Sequence, residues 1–223
     1  MIRNIYDAVY NNLIGGGAYV RIIKGCMVTV LLFVLALCVG ALFAAGLSFL
    51  RTSENRWFCL LGTAFAFLAK ATPLYLALLL WYYTFFGGMH RGGLLIAVLV
   101  FGFYAGGHLS DILSRGIRKE VQNRNTAVNR RARREFFTAL LPFVTEQSLF
   151  EVKRLVCILL QMSSVVGVIG VNDLAQVMLA NGLKTQYPFF ALACAVIFYL
   201  LLQLLIEAVF SWLGRKLTGE EEE

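Results

Sequence analysis

Long apolar blocks separated by short polar stretches dominate the chain. Five blocks are long enough to cross a bilayer, whose hydrocarbon core takes roughly 20 apolar residues in a helix. They cover 27–49, 57–86, 93–113, 155–171 and 189–213. The second is interrupted by Lys70 and Pro73, and the fourth, the least apolar, carries Gln161, Ser163 and Ser164. The pattern predicts an all-α integral membrane protein with five transmembrane helices. An external segment over 1–26 precedes a membrane unit over 27–213, and an acidic tail over 214–223 follows it. The first apolar run is too long for the h-region of a signal peptide and reads as a membrane anchor.

The stretch over 114–148 is too long for a simple connection. Asn125-Thr126 can cap a helix, the run from Arg130 to Leu141 places a basic stretch before an apolar one, and Pro142 ends or kinks it. Short helices along the cytoplasmic membrane face are expected there. Lys and Arg bias sets the orientation of a membrane protein. Twelve of these residues flank one side of the predicted spans and five the other, which puts the N-terminus outside and the C-terminus in the cytoplasm.

Composition sharpens this picture. Apolar types make up 59% of the chain and charged types 15%, far from the roughly 25% charge of soluble domains, so an ordinary soluble enzyme is excluded. The net charge of +7 gathers in the 114–148 stretch, which suits anionic membrane lipid and gives no case for nucleic acid. Cys26, Cys38, Cys59, Cys157 and Cys194 lie in or beside apolar runs without C-x-x-C spacing and read as small hydrophobes. No catalytic signature is present, and no metal site is expected. Ionisable residues inside spans point to function by default. Lys70, next to Thr72-Pro73, reads as a residue of a translocation path or subunit interface, or as a snorkelling charge. His108 and Asp111 share a helical face. Asp111 and Glu207 can also reach water from the cytoplasmic ends. Gly102-x-x-x-Gly106, with Gly107, and Gly167-x-x-Gly170 suggest close helix contacts.

Several segments together resemble the permease subunits of bacterial ABC importers of the polar amino acid group. Lys24-Gly25-x-x-x-Thr29 resembles that family's L-x-G-x-x-x-T-L. Lys70-Ala71-Thr72-Pro73-Leu74, followed by Trp81-Tyr82-Tyr83, is similar to its R-G-T-P-L run. Ala105-Gly106-Gly107-His108-Leu109-Ser110-Asp111-Ile112 resembles A-x-x-A-Y-x-S-E-I. Gln161-Met162-Ser163-Ser164-Val165, then Val168-Ile169-Gly170-Val171-Asn172-Asp173-Leu174, resembles K-D-T-S-L and V-I-G-V-x-D-L. In the family's E-A-A-x-x-x-G loop motif, Thr126 stands for Glu, Ala127 keeps Ala, and Ala132 stands for Gly; Leu141-Pro142 matches its L-P.

The resemblance implies a type I importer permease with coupling helices between spans three and four, in the bacterial inner membrane. It implies transport of a small polar solute of the amino-acid kind. An external solute-binding protein would deliver cargo, and a second permease chain, identical or homologous, would complete the path. A cytoplasmic ABC ATPase would bind ATP and Mg; this chain itself would hold no cofactor and would not be an enzyme. Path or interface candidates are Lys70, Thr72, Pro73, His108, Asp111, Gln161, Ser163 and Ser164. Coupling candidates are Thr126, Ala127, Arg130, Arg131, Ala132, Arg134, Phe136, Phe137, Leu140 and Pro142. The substituted loop motif leaves two alternatives open: a non-transporting membrane scaffold, or the passive half of a heterodimeric permease.

Overall fold

Every long apolar run becomes helix in the computed structural model, which describes residues 9–53, 55–86, 92–123 and 146–218. Among the described residues no strand is formed. A left-handed pair, Gly16 (φ 56) and Gly17 (φ 71), turns the chain into the first long helix. A side chain is strained in that region. Helix α1 (Ala18–Arg51) has 34 residues and is about 51 Å long. It starts well before the predicted residue 27. The polar interruptions Arg21 and Lys24 lie within it, and Arg21 is bonded to the Gly16 carbonyl at 2.8 Å and to Asn181 Oδ1 at 3.0 Å.

The second apolar run is not one straight span. It forms α2 (Arg56–Ala71) and α3 (Leu74–Phe86), bent by 102° at the break between them. Asn55 caps α2 by accepting from the Trp57 N–H at 3.0 Å. Pro73 lacks an N–H and disfavours helix at the residue before it, so Thr72 is extended and the chain turns. The two helices, of 16 and 13 residues, are about 24 and 20 Å long. Each alone falls short of a hydrocarbon core of about 30 Å.

Helix α4 (Gly93–Asn123) follows, then α5 (Glu146–Ser163) with a 3-10 continuation over Ser164–Ile169. That run starts earlier than the predicted 155, because the more polar first turns also favour helix. Helix α6 (Leu174–Thr185) belongs to none of the predicted spans. Asp173 caps it, accepting from the backbone N–H groups of Ala175 and Gln176. Helix α7 (Pro188–Thr218) closes the chain. By length and composition, four helical segments can cross a membrane, and the bent pair makes a fifth if it acts as one span. The chain is a multi-pass membrane protein.

Lipid is as apolar as leucine, so helices in a membrane associate through close packing of small residues rather than through the hydrophobic effect. The contact between α1 and α4 is built this way. A methyl on Gly40 would stand 2.7 Å from Ala105 Cβ, one on Gly102 2.6 Å from Val39 Cγ1, and one on Gly106 2.6 Å from Phe43 Cβ. The GxxxG face of α4 therefore docks on α1 of the same chain. Gly107 beside it faces Ala66 and Ala69 of α2. Gly167 packs on Gln176, and Gly170, left-handed at φ 77, ends the 3-10 turn. Both glycine pairs thus serve contacts and turns within the chain. Large side chains from several helices fill the centre, where Leu32, Leu78, Phe101, Leu159 and Val166 are buried together. A second cluster, with Ile22, Leu174, Met178 and Ala191, lies under the α6–α7 hairpin.

Candidate functional site

Three polar groupings stand out in this apolar framework. The first joins α1, α2 and α4 around one carboxylate. Lys70 at the end of α2 donates its Nζ to Asp111 Oδ2. Arg51 at the end of α1 donates Nη1 to Asp111 Oδ1 at 2.5 Å and to Ser110 Oγ at 3.1 Å. Beneath them, Ser48 Oγ donates to the Ser110 carbonyl at 3.3 Å, and Ser110 Oγ donates to the Gly107 carbonyl at 2.8 Å. Two cations thus share one anion. Lys70 neither snorkels nor faces an open path in this arrangement; its charge holds helices of one chain together. Asp111 is the pivot of that clamp. His108 stacks on Tyr104, ring centroids 4.7 Å apart. Thr72 Oγ1 donates to the Leu68 carbonyl at 2.7 Å, and Pro73 forms the break itself.

The second grouping is fully enclosed. Thr29 Oγ1 on α1 accepts from the Leu174 N–H at 3.0 Å and donates to the Gly25 carbonyl at 3.1 Å. The Asp173 carboxylate accepts from the N–H groups of Ala175 at 3.2 Å and Gln176 at 3.0 Å, and from the Tyr199 hydroxyl of α7 at 3.1 Å. Thr29 and Asp173 are buried. Burial pushes the Asp173 carboxyl above the ordinary carboxylate range, against the Gln176 N–H, the Tyr199 hydroxyl and the Ala175 N–H, which favour its charged form. Asp173 lies outside the segments long enough to cross a membrane.

The third grouping lies along the seam of α5 and α7. Gln161 Nε2 donates to Gln203 Oε1 at 2.9 Å. Ser164 Oγ donates to the Gln161 carbonyl at 2.9 Å and is exposed, while its neighbour Ser163 is buried and donates to the Leu160 carbonyl at 2.7 Å.

The sequence candidates therefore fall into two places. Lys70, Thr72, Pro73, His108 and Asp111 lie around the α2–α3 break and α4, and Gln161, Ser163 and Ser164 lie on α5 and its continuation. Thr126, Ala127, Arg130, Arg131, Ala132, Arg134, Phe136, Phe137, Leu140 and Pro142 lie outside the described residues. Sequence reasoning missed Arg51, which it counted only as a flanking charge, and Gln203 and Tyr199, polar groups one turn apart on α7. For Asp173 a signal existed: an Asp directly before Leu174-Ala175-Gln176 is a helix-start pattern. Among the described residues no three His, Cys, Asp or Glu side chains gather as a metal site requires.

No family model and no curated protein matches the sequence. A solved structure does resemble the fold. A chain from the crystal structure of an amino acid ABC transporter with histidines superposes with a TM-score of 0.71 at 19% identity. The superposition covers 88% of this chain and 94% of that one. At that identity the similarity shows a shared fold.

Proposed function

We propose that this chain is the membrane-spanning permease subunit of an ATP-driven importer for a small polar solute of the amino-acid class. The observation that carries the proposal is the shared fold over nearly the whole of both chains, with a neighbour that is itself an amino acid ABC transporter. The chain contributes the path and the mechanical link, and a separate cytoplasmic ATPase supplies ATP hydrolysis with its own Mg and nucleotide. An external solute-binding protein hands over cargo, and a second permease chain completes the path. The assembly sits in a bacterial inner membrane with the N-terminus outside and the C-terminus cytoplasmic.

The geometry supports a mechanical role. Helix α4 runs on to Asn123, past the end of its apolar span at Gly116. Those seven further residues extend it by about 10 Å. It leads directly into the 124–145 segment that contains the coupling candidates Thr126, Ala127, Arg130, Arg131, Ala132, Arg134, Phe136, Phe137, Leu140 and Pro142. Arg115 of α4 pairs with Glu151 of α5, so the two helices flanking that segment are tied at its base. The pair is largely exposed and is worth about 1 kcal/mol or less; its role is register rather than stability. The Arg51–Asp111–Lys70 clamp then transmits a displacement of α4 to α1 and α2. A partner can shift such a two-state element only by binding its two states unequally, so the ATPase must grip the 124–145 segment differently as its nucleotide changes.

Uptake of labelled amino acids decides the matter. A strain lacking this chain should lose energy-dependent uptake of at least one amino acid, and the plasmid-borne chain should restore it. Unchanged uptake of all of them in the deletion strain would reject the reading.

A further inference from the structure

We propose that the seam between α5 and α7 is a cargo subsite near the membrane midplane, and that it takes the cationic group of the transported solute. Glu207 supplies the charge, and the Gln161–Gln203 pair supplies the hydrogen bonds. The inference rests on the importer reading and adds to it a residue set and a cargo charge.

Depth is the first argument. The apolar span of α7 covers Pro188–Lys216 and that of α5 with its continuation covers Leu149–Ile169. Counted at 1.5 Å per residue, Gln203 and Gln161 lie within about 3 Å of the midpoints of their spans, and Glu207 about 7.5 Å beyond the midpoint of α7. All three fall inside a hydrocarbon half-thickness of about 15 Å.

Exposure is the second. Gln161, Ser164, Glu207 and Ser211 are exposed, and Gln203 is half-buried. Gln203, Glu207 and Ser211 follow at intervals of four, so they share one edge of α7. A helix edge carrying an amide, a carboxylate and a hydroxyl is a poor lipid surface, because a charge at the bilayer centre costs about 3 kcal/mol even on insertion scales. The lipid-compatible faces are elsewhere on α7, where Val196, Ile197, Leu201, Leu205 and Val209 are exposed.

Unused bonding capacity is the third. The single bond from Gln161 Nε2 to Gln203 Oε1 leaves the Gln161 carbonyl oxygen and the Gln203 amide nitrogen facing the same edge. Glu207 makes no ion pair among the described residues. The cations at the start of α5 do not neutralise it: Arg154 forms no ion pair among the described residues, and the Lys153 ammonium stands 5.5 Å from the centre of the Phe150 ring. The seam therefore presents one uncompensated negative charge next to an amide acceptor and an amide donor. That set fits an ammonium or guanidinium group, with the amides left for the polar remainder of the solute. A site of this kind binds strongly enough to draw a cation from water and, having one charge, weakly enough to release it.

The test is direct binding of radiolabelled lysine to the full chain, purified with whatever subunits accompany it, in lipid nanodiscs without external binding protein. Saturable binding that arginine displaces and glutamate does not is expected. Glu207→Gln should weaken binding tenfold or more and Glu207→Asp less than threefold. Gln161→Leu, which leaves the charge in place, should weaken it about threefold; it decides the matter if Glu207→Gln fails to insert. Absence of saturable lysine binding, or an unchanged dissociation constant in both Glu207→Gln and Gln161→Leu, overturns the proposal. So does an altered oligomeric state with lysine affinity kept, which would make the seam a contact between copies. Parallel uptake assays keep the two ideas separate: uptake without lysine binding rejects only the subsite, whereas loss of every uptake activity rejects the importer.

Discussion

A single methyl group placed at two positions of α1 isolates what packing contributes to this fold. At Gly40 the new Cβ would lie 2.7 Å from Ala105 Cβ and 3.2 Å from the Gly102 carbonyl oxygen. Carbon atoms in contact prefer about 3.5–4.0 Å, so α1 and α4 must separate by about 1 Å. Gly102 and Gly106 are equally tight, which leaves the helices no easy direction to slide. Overpacking of this size costs about 1–3 kcal/mol. At Gly46, six residues along the same helix, nothing lies within 4 Å of the added carbon. Both substitutions gain the same helix propensity, about 1 kcal/mol, so it cancels in the comparison. Gly46→Ala should be neutral or stabilising, and Gly40→Ala should be less stable than it by about 1–3 kcal/mol. Reversible unfolding of the purified chain in mixed detergent micelles, followed by helix content, gives both values. Equal stability of the two variants would refute the account of α1 and α4 as helices joined through small residues.

Other consequences can be measured as directly. Asp111→Asn leaves Lys70 and Arg51 without their anion; since these side chains are 14–30% exposed, the cost should be about 1–3 kcal/mol rather than the 3–5 of a fully buried pair. A double-mutant cycle of Asp111→Asn with Lys70→Met should show about 1 kcal/mol of coupling, and additivity would refute the clamp. Asp173 has a raised carboxyl in the folded chain, so its contribution to stability is complete below the unfolded value of about 3.9 and is lost as pH rises through the higher folded value. The gain in thermal stability from pH 8 to pH 5 should therefore shrink in Asp173→Asn; an identical gain in both proteins would contradict this. In a background without the five native cysteines, Lys184→Cys should react with an impermeant thiol reagent in intact cells, and Lys216→Cys only after permeabilisation. The reverse pattern would overturn the proposed orientation.

The long apolar runs were readable because hydropathy alone decides whether a segment of that length enters a membrane. The break in the second run was readable too, since Pro73 removes a donor whatever surrounds it. The size of the bend was not, because it depends on what α2 and α3 pack against. Lys70 and Asp111 stood out as ionisable residues in apolar runs, yet nothing local says that they meet. They are 41 positions apart, and Arg51 is 60 from Asp111. Helix α6 escaped notice because a short, moderately polar helix carries no long apolar signature; its start lies in the cap at Asp173. The glycines of α4 announced a close contact, but the identity of the opposing helix is a property of the assembled chain.

The small-residue interior has a consequence for how this fold can change over time. In a soluble domain, polarity separates inside from outside. Here both are apolar, and bulk separates them: α2 turns Gly62, Ala66 and Ala69 inward and Trp57, Phe58, Phe65 and Phe67 outward. A substitution matrix that rewards retained hydrophobicity would score Ala66→Leu as mild, although it strikes the contact, and Phe67→Leu no better, although it touches only lipid. What the architecture demands is a spatial map of side-chain volume, which many different apolar spellings satisfy. Such a fold can keep its shape while its letters drift, consistent with a TM-score of 0.71 alongside 19% identity.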